Sequence, residues 1–328
     1  MYEIRKILFV TLTNIGDVIL TLPVLDTLRV NFPEAEITVI CGPRPVEIFE
    51  NDSAVKRVIA YDKHAPLYLK WRLLRLMRQE KFDVVVDLRN SFFGWLVRAR
   101  YKTSPLAGIP ARVAHMRDRH LYKLKSLADI LPRDRTQLME RSLEPYQADR
   151  LYIEEFLAKA GVKHLDRVVV VSAGARSIIK RWPKEKFAAL IRQLTQEFAV
   201  KVILIGDRDD AAVNQDISRS VGLAVADLSA QTTLLQVAAL LRRSALLITN
   251  DSANSHLASY LGVPVVTVFG PTDDVKYGPW SNQSRLVKSG IGCRPCRKAV
   301  CRFNTLACLQ AVEVEDVVRA SRDLLKKP

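Results

Sequence analysis

Short runs of apolar and β-branched residues alternate along the chain with longer segments in which apolar residues recur about every 3.6 positions. In the first half of the chain the short runs predict strands at 6–12, 36–41, 57–61 and 82–88. The segments between them predict helices at 18–30, 45–49 and 67–79. Strands that alternate with helices pair in parallel, and strands that are apolar throughout are buried on both faces. We therefore expect a parallel sheet with helices on both sides.

The same alternation starts again in the second half, after a helical segment at 148–160 that ends at Gly161. Strands are predicted at 168–172, 201–205, 246–249 and 265–269. Helices are predicted at 184–198, 209–220, 233–242, 253–261 and 314–325. A length of 328 residues also suits two domains. The predicted fold class is α/β, with two Rossmann-like doubly wound domains at 1–160 and 161–328 and a cleft between them.

Three loops at the carboxyl ends of predicted strands carry most of the candidate chemistry, because ligands of doubly wound sheets bind at that edge. The first loop, 13–17, ends in Asp17, whose carboxylate suits a general base, although the helix dipole also stabilises an acid there. The second loop, 172–183, offers a hydroxyl, backbone donors and three cations before a helix. The third loop, 250–256, opens another helix. Two helix N-termini beside one cleft suit a diphosphate.

Two further motifs narrow the chemistry. The first loop holds a single glycine, Gly16, and no glycine-rich loop ending in Lys-Ser or Lys-Thr occurs in the chain. This disfavours NAD enzymes and P-loop NTPases. The acidic stretch 207–210 fits either a helix start or a cation site, and we favour the helix start because it directly follows a predicted strand.

Four of the five cysteines lie within sixteen residues of one another. A structural zinc ion, an iron–sulfur cluster, a disulfide clip and free thiols are open interpretations of this set, Cys293, Cys296, Cys301 and Cys308. Any metal there would be saturated by cysteine and would take no part in catalysis. This distribution is not that of a secreted disulfide scaffold, so we expect a reducing, cytoplasmic compartment.

The charge of the chain indicates the class of partner. Lys and Arg number 50 against 35 Asp and Glu, a formal net charge of +15, which favours an anionic partner. Eleven cations and three acids lie at 89–135, and six cations and no acid at 285–302. Nucleic acid, an anionic membrane surface and a phosphorylated or carboxylated substrate all fit this charge, but no nucleic-acid-binding motif accompanies it. No window has the roughly 18 uninterrupted apolar residues of a spanning helix.

Several motifs together resemble those of the family-nine glycosyltransferases, the ADP-heptose:lipopolysaccharide heptosyltransferases of Gram-negative bacteria. They are Ile15-Gly-Asp-Val-Ile-Leu-Thr-Leu-Pro23, Lys180-Arg-Trp-Pro183, Asn250-Asp-Ser-Ala-Asn-Ser-His-Leu-Ala258, Leu261-Gly-Val-Pro264 and Phe269-Gly-Pro-Thr272. The resemblance covers nearly the whole chain, and the cysteine cluster resembles the heptosyltransferase II-like branch. It implies a GT-B fold, in which the first domain mainly holds the acceptor and the second holds the nucleotide sugar.

The resemblance further implies an inverting, metal-independent transfer of L-glycero-D-manno-heptose from ADP-heptose to a hydroxyl of the lipopolysaccharide inner core, with no cofactor required for catalysis. It implies that Asp17 is the general base and that Lys180 stabilises the leaving ADP. The other implied donor-binding residues are Ser172, Asp251, Ser252, Asn254, His256, Thr232 and Thr233. The acceptor-side candidates are Asn14, Gly16, Arg89 and Arg117. Ala253 and Asn254 depart from the commoner Asp-Thr-Gly or Asp-Ser-Gly pattern.

The implied partners are the ADP-heptose donor, an acceptor that is Kdo-lipid A or its heptosylated form, and the cytoplasmic surface of the inner membrane. The basic stretch 89–135 would be drawn to that surface, so we expect a peripheral protein at its inner face and no nucleic acid. Three alternatives stay open. One is another GT-B transfer, with a different nucleotide sugar or a different glycolipid or capsule acceptor, and another is a donor-binding protein without turnover. The third, which the lack of a nucleic-acid-binding motif disfavours, is a non-enzymatic nucleic-acid-binding protein. The resemblance does not separate heptosyltransferases I, II and III.

Overall fold

The computed structural model describes residues 3–50, 52, 54–106, 108–131, 143–222 and 225–326. The chain divides into two compact units, Met1–Glu144 and Pro145–Pro328. The sequence instead places the boundary after residue 160. The difference arises from the helix Gln147–Lys159, which packs against the helix Leu234–Arg243 of the second unit.

The first unit is built on a five-stranded parallel sheet with the strand order β3-β2-β1-β4-β5. Its strands are β1 Lys6–Val10, β2 Glu36–Cys41, β3 Val55–Ala60, β4 Phe82–Asp87 and β5 Ala99–Lys102. Its helices are α1 Ile15–Ile19, α2 Leu22–Asn31, α3 Leu67–Gln79, α4 Phe92–Leu96 and α5 Met116–Tyr122, with 3-10 turns at Val46–Ile48 and Lys123–Leu127. Consecutive residues of β1, from Ile7 to Val10, are at most 1% exposed, so both faces of the sheet are covered, as predicted.

The helix predicted at 18–30 is two helices in the structure. The first, α1, ends at Ile19, and α2 begins at Leu22 after an N-cap at Thr21. Pro23 stands in the first turn of α2. A proline is tolerated there, whereas inside one continuous helix it would remove a backbone hydrogen bond and clash with the preceding turn. The helix predicted near 45–49 is only a 3-10 turn.

The second unit has a six-stranded parallel sheet with the order β11-β10-β9-β6-β7-β8. Its strands are β6 Arg167–Ser172, β7 Val200–Leu204, β8 Ala226–Asp227, β9 Leu246–Asn250, β10 Val265–Phe269 and β11 Ser284–Lys288. Its helices are α6 Gln147–Lys159, α7 Lys184–Glu197, α8 Ala211–Val221, α9 Leu234–Arg243, α10 Ala253–Leu261, α11 Asp274–Tyr277, α12 Ala307–Gln310 and α13 Val314–Leu325, with a 3-10 turn at Ile178–Lys180. Trp182 and Phe187 lie in its core together with α13 residues.

In each sheet the direction in which successive strands are added reverses once. In the first unit β1 leads to β2 and β3 on one side, and β4 and β5 lie on the other. In the second unit the same reversal falls between β6 and β9. Ligands of doubly wound sheets bind at the carboxyl ends of the two strands that flank such a reversal. Within the described ranges, no helix is long and apolar enough to cross a membrane.

Candidate active site

The loop after β1 places Asp17 at the reversal point of the first sheet. The side-chain amide of Asn14 donates to Oδ2 of Asp17 at 2.8 Å. Gly42, just after β2, lets this loop pass closely, since a Cβ there would stand 2.6 Å from the Cα of Thr13. Asp17 is only half-buried. One carboxylate oxygen is therefore oriented by an amide while the group stays accessible, which suits a proton acceptor.

The loop after β4 brings Arg89 to the neighbouring strand end. Asp87, the last residue of β4, orders this loop because its carboxylate accepts the backbone N–H groups of Arg89 at 2.9 Å and Gly94 at 3.1 Å. The guanidinium of Arg89 lies over the ring of Tyr61, 5.1 Å from its centroid. Since β1 and β4 are adjacent, Arg89 and Asp17 follow adjacent strands at the same edge of the sheet.

The remaining acceptor-side candidates lie on two different elements. Gly16 is in α1, directly before Asp17. Arg117 is in α5, where its Nε donates to Oδ1 of Asp118 at 2.8 Å, and α5 packs against α2. The structure thus groups Asn14 and Gly16 with the predicted base and places Arg117 on a separate helix.

In the second unit, the loops after β6 and β9 meet at the reversal point. The 3-10 turn Ile178–Lys180 presents Lys180, whose Nζ lies 2.7 Å from Oδ2 of Asp251. The Asp251 side chain is 4% exposed and that of Lys180 is 32% exposed. A nearly buried carboxylate therefore holds an ammonium group that reaches solvent. An ammonium has three N–H donors, so Lys180 can contact an anion while it stays paired.

Two polar side chains, buried Asn250 and half-buried Asn254, tie the two loops together. The amide of Asn250 donates to the carbonyl oxygen of Ala173 at 2.7 Å, and its oxygen accepts the N–H of Trp182 at 3.0 Å. The side chain of Asn254 donates to Oγ of Ser172 at 2.9 Å. A hydroxyl and the start of α10 are thereby brought together beside the paired lysine.

Helix α10 starts at this point and supplies the positive end of its dipole. Ser252 is its N-cap residue, but the Ser252 hydroxyl bonds Oγ1 of Thr249 at 3.0 Å and does not cap the helix. His256 is buried in α10 and stacks on Trp280, with 5.8 Å between ring centroids. These contacts fix the first turn of α10 against the strand ends, which is a suitable arrangement for binding an anion.

The two predicted adenine-contacting threonines lie farther along the sheet. Thr232 and Thr233 follow β8, an edge strand. Thr233 caps α9: its hydroxyl accepts the N–H of Gln236 at 3.2 Å, and the Gln236 side chain accepts the N–H of Thr233 at 3.0 Å. Their contact with a nucleotide stays a prediction.

The acidic stretch 207–210 stabilises the loop after β6, a role that the sequence does not predict. Nη2 of Arg181 lies 3.0 Å from Oδ1 of Asp210. A Cβ on Gly174 would stand 2.1 Å from Cγ of Asp210, so only glycine fits there. Burial, and secondly the charge of Asp207, raises the pKa of Asp210. The favoured helix start is confirmed in its position only: α8 begins at Ala211, directly after the stretch, but its N-cap residue Asp210 makes no side-chain cap bond. Oδ1 of Asp207 instead accepts the backbone N–H of Asp209 at 2.9 Å, before the helix begins.

The four clustered cysteines line one cavity of about 40 Å³, which Ile179, the residue before Lys180, also lines. All five cysteines are free thiols, so no disulfide clip is formed. The backbone N–H groups of Leu306 and Phe303 donate to the Cys301 sulfur and lower its pKa, whereas burial raises the pKa of Cys308. In the part of the chain that the structure describes, no group of three or more His, Cys, Asp or Glu side chains is arranged to hold a metal ion. A structural metal here stays a prediction without support from this geometry.

The sequence matches the family model of glycosyltransferase family 9 (heptosyltransferase) over residues 70–307. The chain belongs to this family. A curated relative, lipopolysaccharide heptosyltransferase 3 of Escherichia coli strain K12, is 27% identical over an aligned length of 335, and the alignment covers 94% of this chain and 95% of the relative.

Solved structures of the family share the fold of this heptosyltransferase. A family 9 glycosyltransferase from Veillonella parvula DSM 2008 has a TM-score of 0.81 at 24% identity, covering 99% of this chain and 98% of that one. The E. coli heptosyltransferase WaaC with ADP has a TM-score of 0.70 at 20% identity, and the match covers 98% of this chain and 100% of the WaaC chain. The predicted family, the GT-B class with two parallel-sheet α/β domains and the enzyme class are thereby confirmed.

Proposed function

We propose that this heptosyltransferase transfers L-glycero-D-manno-heptose from ADP-heptose to a hydroxyl of the lipopolysaccharide inner core. The proposal rests on the Lys180–Asp251 pair, in which Nζ and Oδ2 lie 2.7 Å apart. Asp251 directly precedes the N-cap residue of α10. Two comparisons support it: one curated relative is named a lipopolysaccharide heptosyltransferase, and the WaaC structure contains ADP.

In this proposal the ADP diphosphate binds between the loop after β6 and the start of α10. Lys180 supplies a positive charge, Ser172 a hydroxyl and α10 its N-terminal amides. The hydroxyl of Ser172 is already oriented by Asn254. All three groups are positive or neutral hydrogen-bond donors. They therefore stabilise the negative charge that develops on the diphosphate as it leaves.

Asp251 has two roles in the proposal. Its nearly buried carboxylate orients Lys180, and its second oxygen accepts a hydroxyl of the donor heptose. The run Asp251-Ser-Ala-Asn254 departs from the Asp-Ser-Gly pattern at Ala253, and the next residue, Asn254, bonds Ser172. The Asn254 side chain thus links the loop after β6 to the first turn of α10.

The acceptor binds at the carboxyl edge of the first sheet. Asn14 holds one oxygen of Asp17, so the other oxygen can take the proton of the acceptor hydroxyl. Arg89 is held over Tyr61 at the neighbouring strand end and supplies a cation for an anionic inner-core group, such as a Kdo carboxylate. An anionic acceptor agrees with the net charge of +15.

The proposed reaction is a single displacement. The acceptor oxygen forms a bond to the anomeric carbon from the face opposite ADP, and the bond between that carbon and the diphosphate oxygen breaks. The hydroxyl proton passes to Asp17, the electron pair of the broken bond leaves with ADP, and the configuration at the anomeric carbon inverts. Lys180 stabilises the ADP, so no step calls for a metal ion or a cofactor. We place the protein at the inner face of the inner membrane, where a lipid-anchored acceptor is found.

The first test is calorimetric titration with ADP and with a non-transferable ADP-heptose analogue, with EDTA present throughout. We expect metal-independent binding that Lys180→Ala reduces by at least about tenfold, since a charge-assisted contact to phosphate is lost. Lys184→Ala is the matched control, because Lys184 lies in α7 and pairs with Asp216. Absence of binding to both ligands, or tight binding of a UDP-sugar instead, would favour a different nucleotide sugar.

The second test separates turnover from binding. Asp17→Asn keeps the size of the side chain and removes its basicity, so transfer should fall by about 10² to 10⁴ while ADP binding is unchanged. Asp129→Asn, at an exposed position of the same unit, is the control. If the unmodified protein is active and Asp17→Asn retains that activity, Asp17 is not the base. If the unmodified protein binds donor and never transfers it, the donor-binding alternative holds.

A further inference from the structure

Helix α3 presents large apolar side chains to solvent on the first unit. It buries only a narrow stripe, with Leu74 and Met77 inside the core. On its outer side Leu67, Tyr68 and Trp71 are 73%, 69% and 59% exposed. Leu67 and Trp71 are one turn apart, and Tyr68 lies beside them. The helix therefore has a second apolar surface that the described residues of this unit do not cover.

The same helix is strongly basic. It carries four cations and no acid, at Lys70, Arg72, Arg75 and Arg78. Spacings of four and seven residues place Arg72 and Arg75 on the same face as Tyr68. Aromatic rings interleaved with arginines are typical of helices that lie in the headgroup region of an anionic bilayer.

A second exposed aromatic group lies next to α3. Trp95 in the short helix α4 is 58% exposed, and Leu96 follows it. α4 packs against α3. The chain then continues with cations at Arg98, Arg100 and Lys102, in and beside the edge strand β5. α3 and the segment from α4 to β5 are therefore neighbours, and both carry apolar and cationic side chains.

The order of strands and helices places the first turns of α3, and α4, at the carboxyl edge of the first sheet, where the candidate base Asp17 also lies. α3 follows β3 and leads into β4, so its first turns lie near the carboxyl end of the sheet. α4 starts five residues after β4 ends at Asp87 and lies at the same edge. Asp17 follows the carboxyl end of β1. A flat surface that contacted the first turns of α3 would therefore meet the acceptor edge of this unit.

We propose that the surface formed by Leu67, Tyr68, Trp71, the arginines of α3, Trp95 and Leu96 docks the protein on an anionic lipid bilayer. The aromatic rings enter the headgroup region, and the arginines pair with lipid phosphates. The sequence attributes membrane attraction to the stretch 89–135 alone, of which residues 107 and 132–135 lie outside the described ranges. The inference rests on the proposed function in one respect: it takes the acceptor to be anchored in lipid.

Charge favours a bilayer over a second copy of this chain. In a twofold dimer the same patch faces itself, which would bring the four cations of α3 against four more with no acid from α3 between them. Nucleic acid would satisfy the cations, but it gives no burial to aliphatic residues such as Leu67. An anionic bilayer satisfies the charge and the apolar surface together.

The test is co-sedimentation with vesicles of phosphatidylethanolamine, phosphatidylglycerol and cardiolipin, compared with pure phosphatidylcholine vesicles, in the absence of donor and acceptor. We expect binding to the anionic vesicles that weakens as salt rises. Tyr68→Ser/Trp71→Ser should weaken binding about tenfold or more. Arg72→Gln/Arg75→Gln should weaken it by about 30-fold. Leu165→Ser is the matched control, because Leu165 is 90% exposed on the other unit.

ADP binding of every variant is measured in parallel, so that the two proposals can fail separately. Loss of vesicle binding with unchanged ADP affinity supports the docking surface. Failure of the unmodified protein to bind anionic vesicles at low salt overturns it, as does equal binding by all variants, whatever ADP does. A patch variant that changes the oligomeric state and leaves vesicle binding intact assigns the surface to a second copy. Vesicle binding without any ADP binding keeps the docking surface and rejects the proposed donor.

Discussion

Removing the Lys180 ammonium should destabilise the second unit, because it leaves the carboxylate of Asp251 buried without its partner. Breaking a fully buried ion pair costs about 3–5 kcal/mol. Lys180 is 32% exposed, so water reaches part of the pair, and we expect about 2 kcal/mol for Lys180→Met. Asp251→Asn should cost about 1 kcal/mol, since the lysine left behind can turn to solvent.

The double variant Lys180→Met/Asp251→Asn should cost less than the sum of the single variants, by about 1.5 kcal/mol. Urea unfolding, combined with hydrogen exchange of amides in β6 and β9, measures the free energy for this unit alone. The exposed pair Lys184–Asp216, 2.6 Å long, gives the matched cycle and should show no measurable coupling. Additive costs at Lys180 and Asp251, within about 0.5 kcal/mol, would refute the conclusion that the buried carboxylate depends on this lysine.

Three further predictions test other parts of the structure. The ring nitrogens of His120 have no hydrogen-bond partner among the described residues, and burial lowers its pKa from 6.5 to about 4. The unfolded chain takes up the proton first, so stability should fall by about 3 kcal/mol as the pH drops from 6.5 to 4. Urea midpoints of His120→Gln should show a weaker pH dependence, and an unchanged dependence would exclude this histidine as the cause. Gly174→Ala should lower stability by about 1–3 kcal/mol and weaken ADP binding, because its Cβ would stand 2.1 Å from a buried carboxylate carbon. Gly290→Ala, with nothing within 4 Å of its added Cβ, should do neither in the same melting and titration experiments. Alkylation followed by mass spectrometry should label Cys301 faster than Cys308, because backbone N–H groups lower the pKa of the first thiol and burial raises that of the second. Protection of all four clustered thiols, with a stoichiometric metal in elemental analysis, would instead establish a metal site.

The central strands are predictable because each is rich in consecutive apolar residues. β1, β4, β6, β9 and β10 all appear where the sequence places them, since burial on both faces favours apolar residues at successive positions. The strands β5, β8 and β11 are not predicted. They lie at sheet edges and read Ala-Arg-Tyr-Lys, Ala-Asp and Ser-Arg-Leu-Val-Lys, so their polar residues conceal the strand pattern.

The sequence predicts which loops form the candidate site, but it does not predict which side chains contact one another there. Strand ends followed by helix starts locate the loops of Asp17, Lys180 and Asp251. The pairing of Lys180 with Asp251 joins residues 71 positions apart and depends on which strands are adjacent, which no local pattern records. Gly174, two residues after the buried strand β6, is a usable signal, because a glycine in such a loop indicates close approach of another group.

The domain boundary shows the same limit. The helix α6 has the right periodicity and ends at a glycine, so its existence is predictable. Its assignment to the second unit depends on tertiary contacts: α6 packs on α9, and the Tyr152 hydroxyl donates to the carbonyl oxygen of Gln231 at 2.8 Å. When a helix lies between two sheets along the chain, its own sequence does not indicate which sheet it packs with.

The most direct test of the proposed reaction is a transfer assay with ADP-heptose and defined inner-core acceptors, in the presence of EDTA, with mass spectrometry of the acceptor. We expect the acceptor to gain one heptose with inverted anomeric configuration. Asp17→Asn should lose turnover and keep ADP affinity, and Lys180→Ala should lose both. Transfer from another nucleotide sugar with none from ADP-heptose, or undiminished transfer by Asp17→Asn, would contradict the proposed reaction.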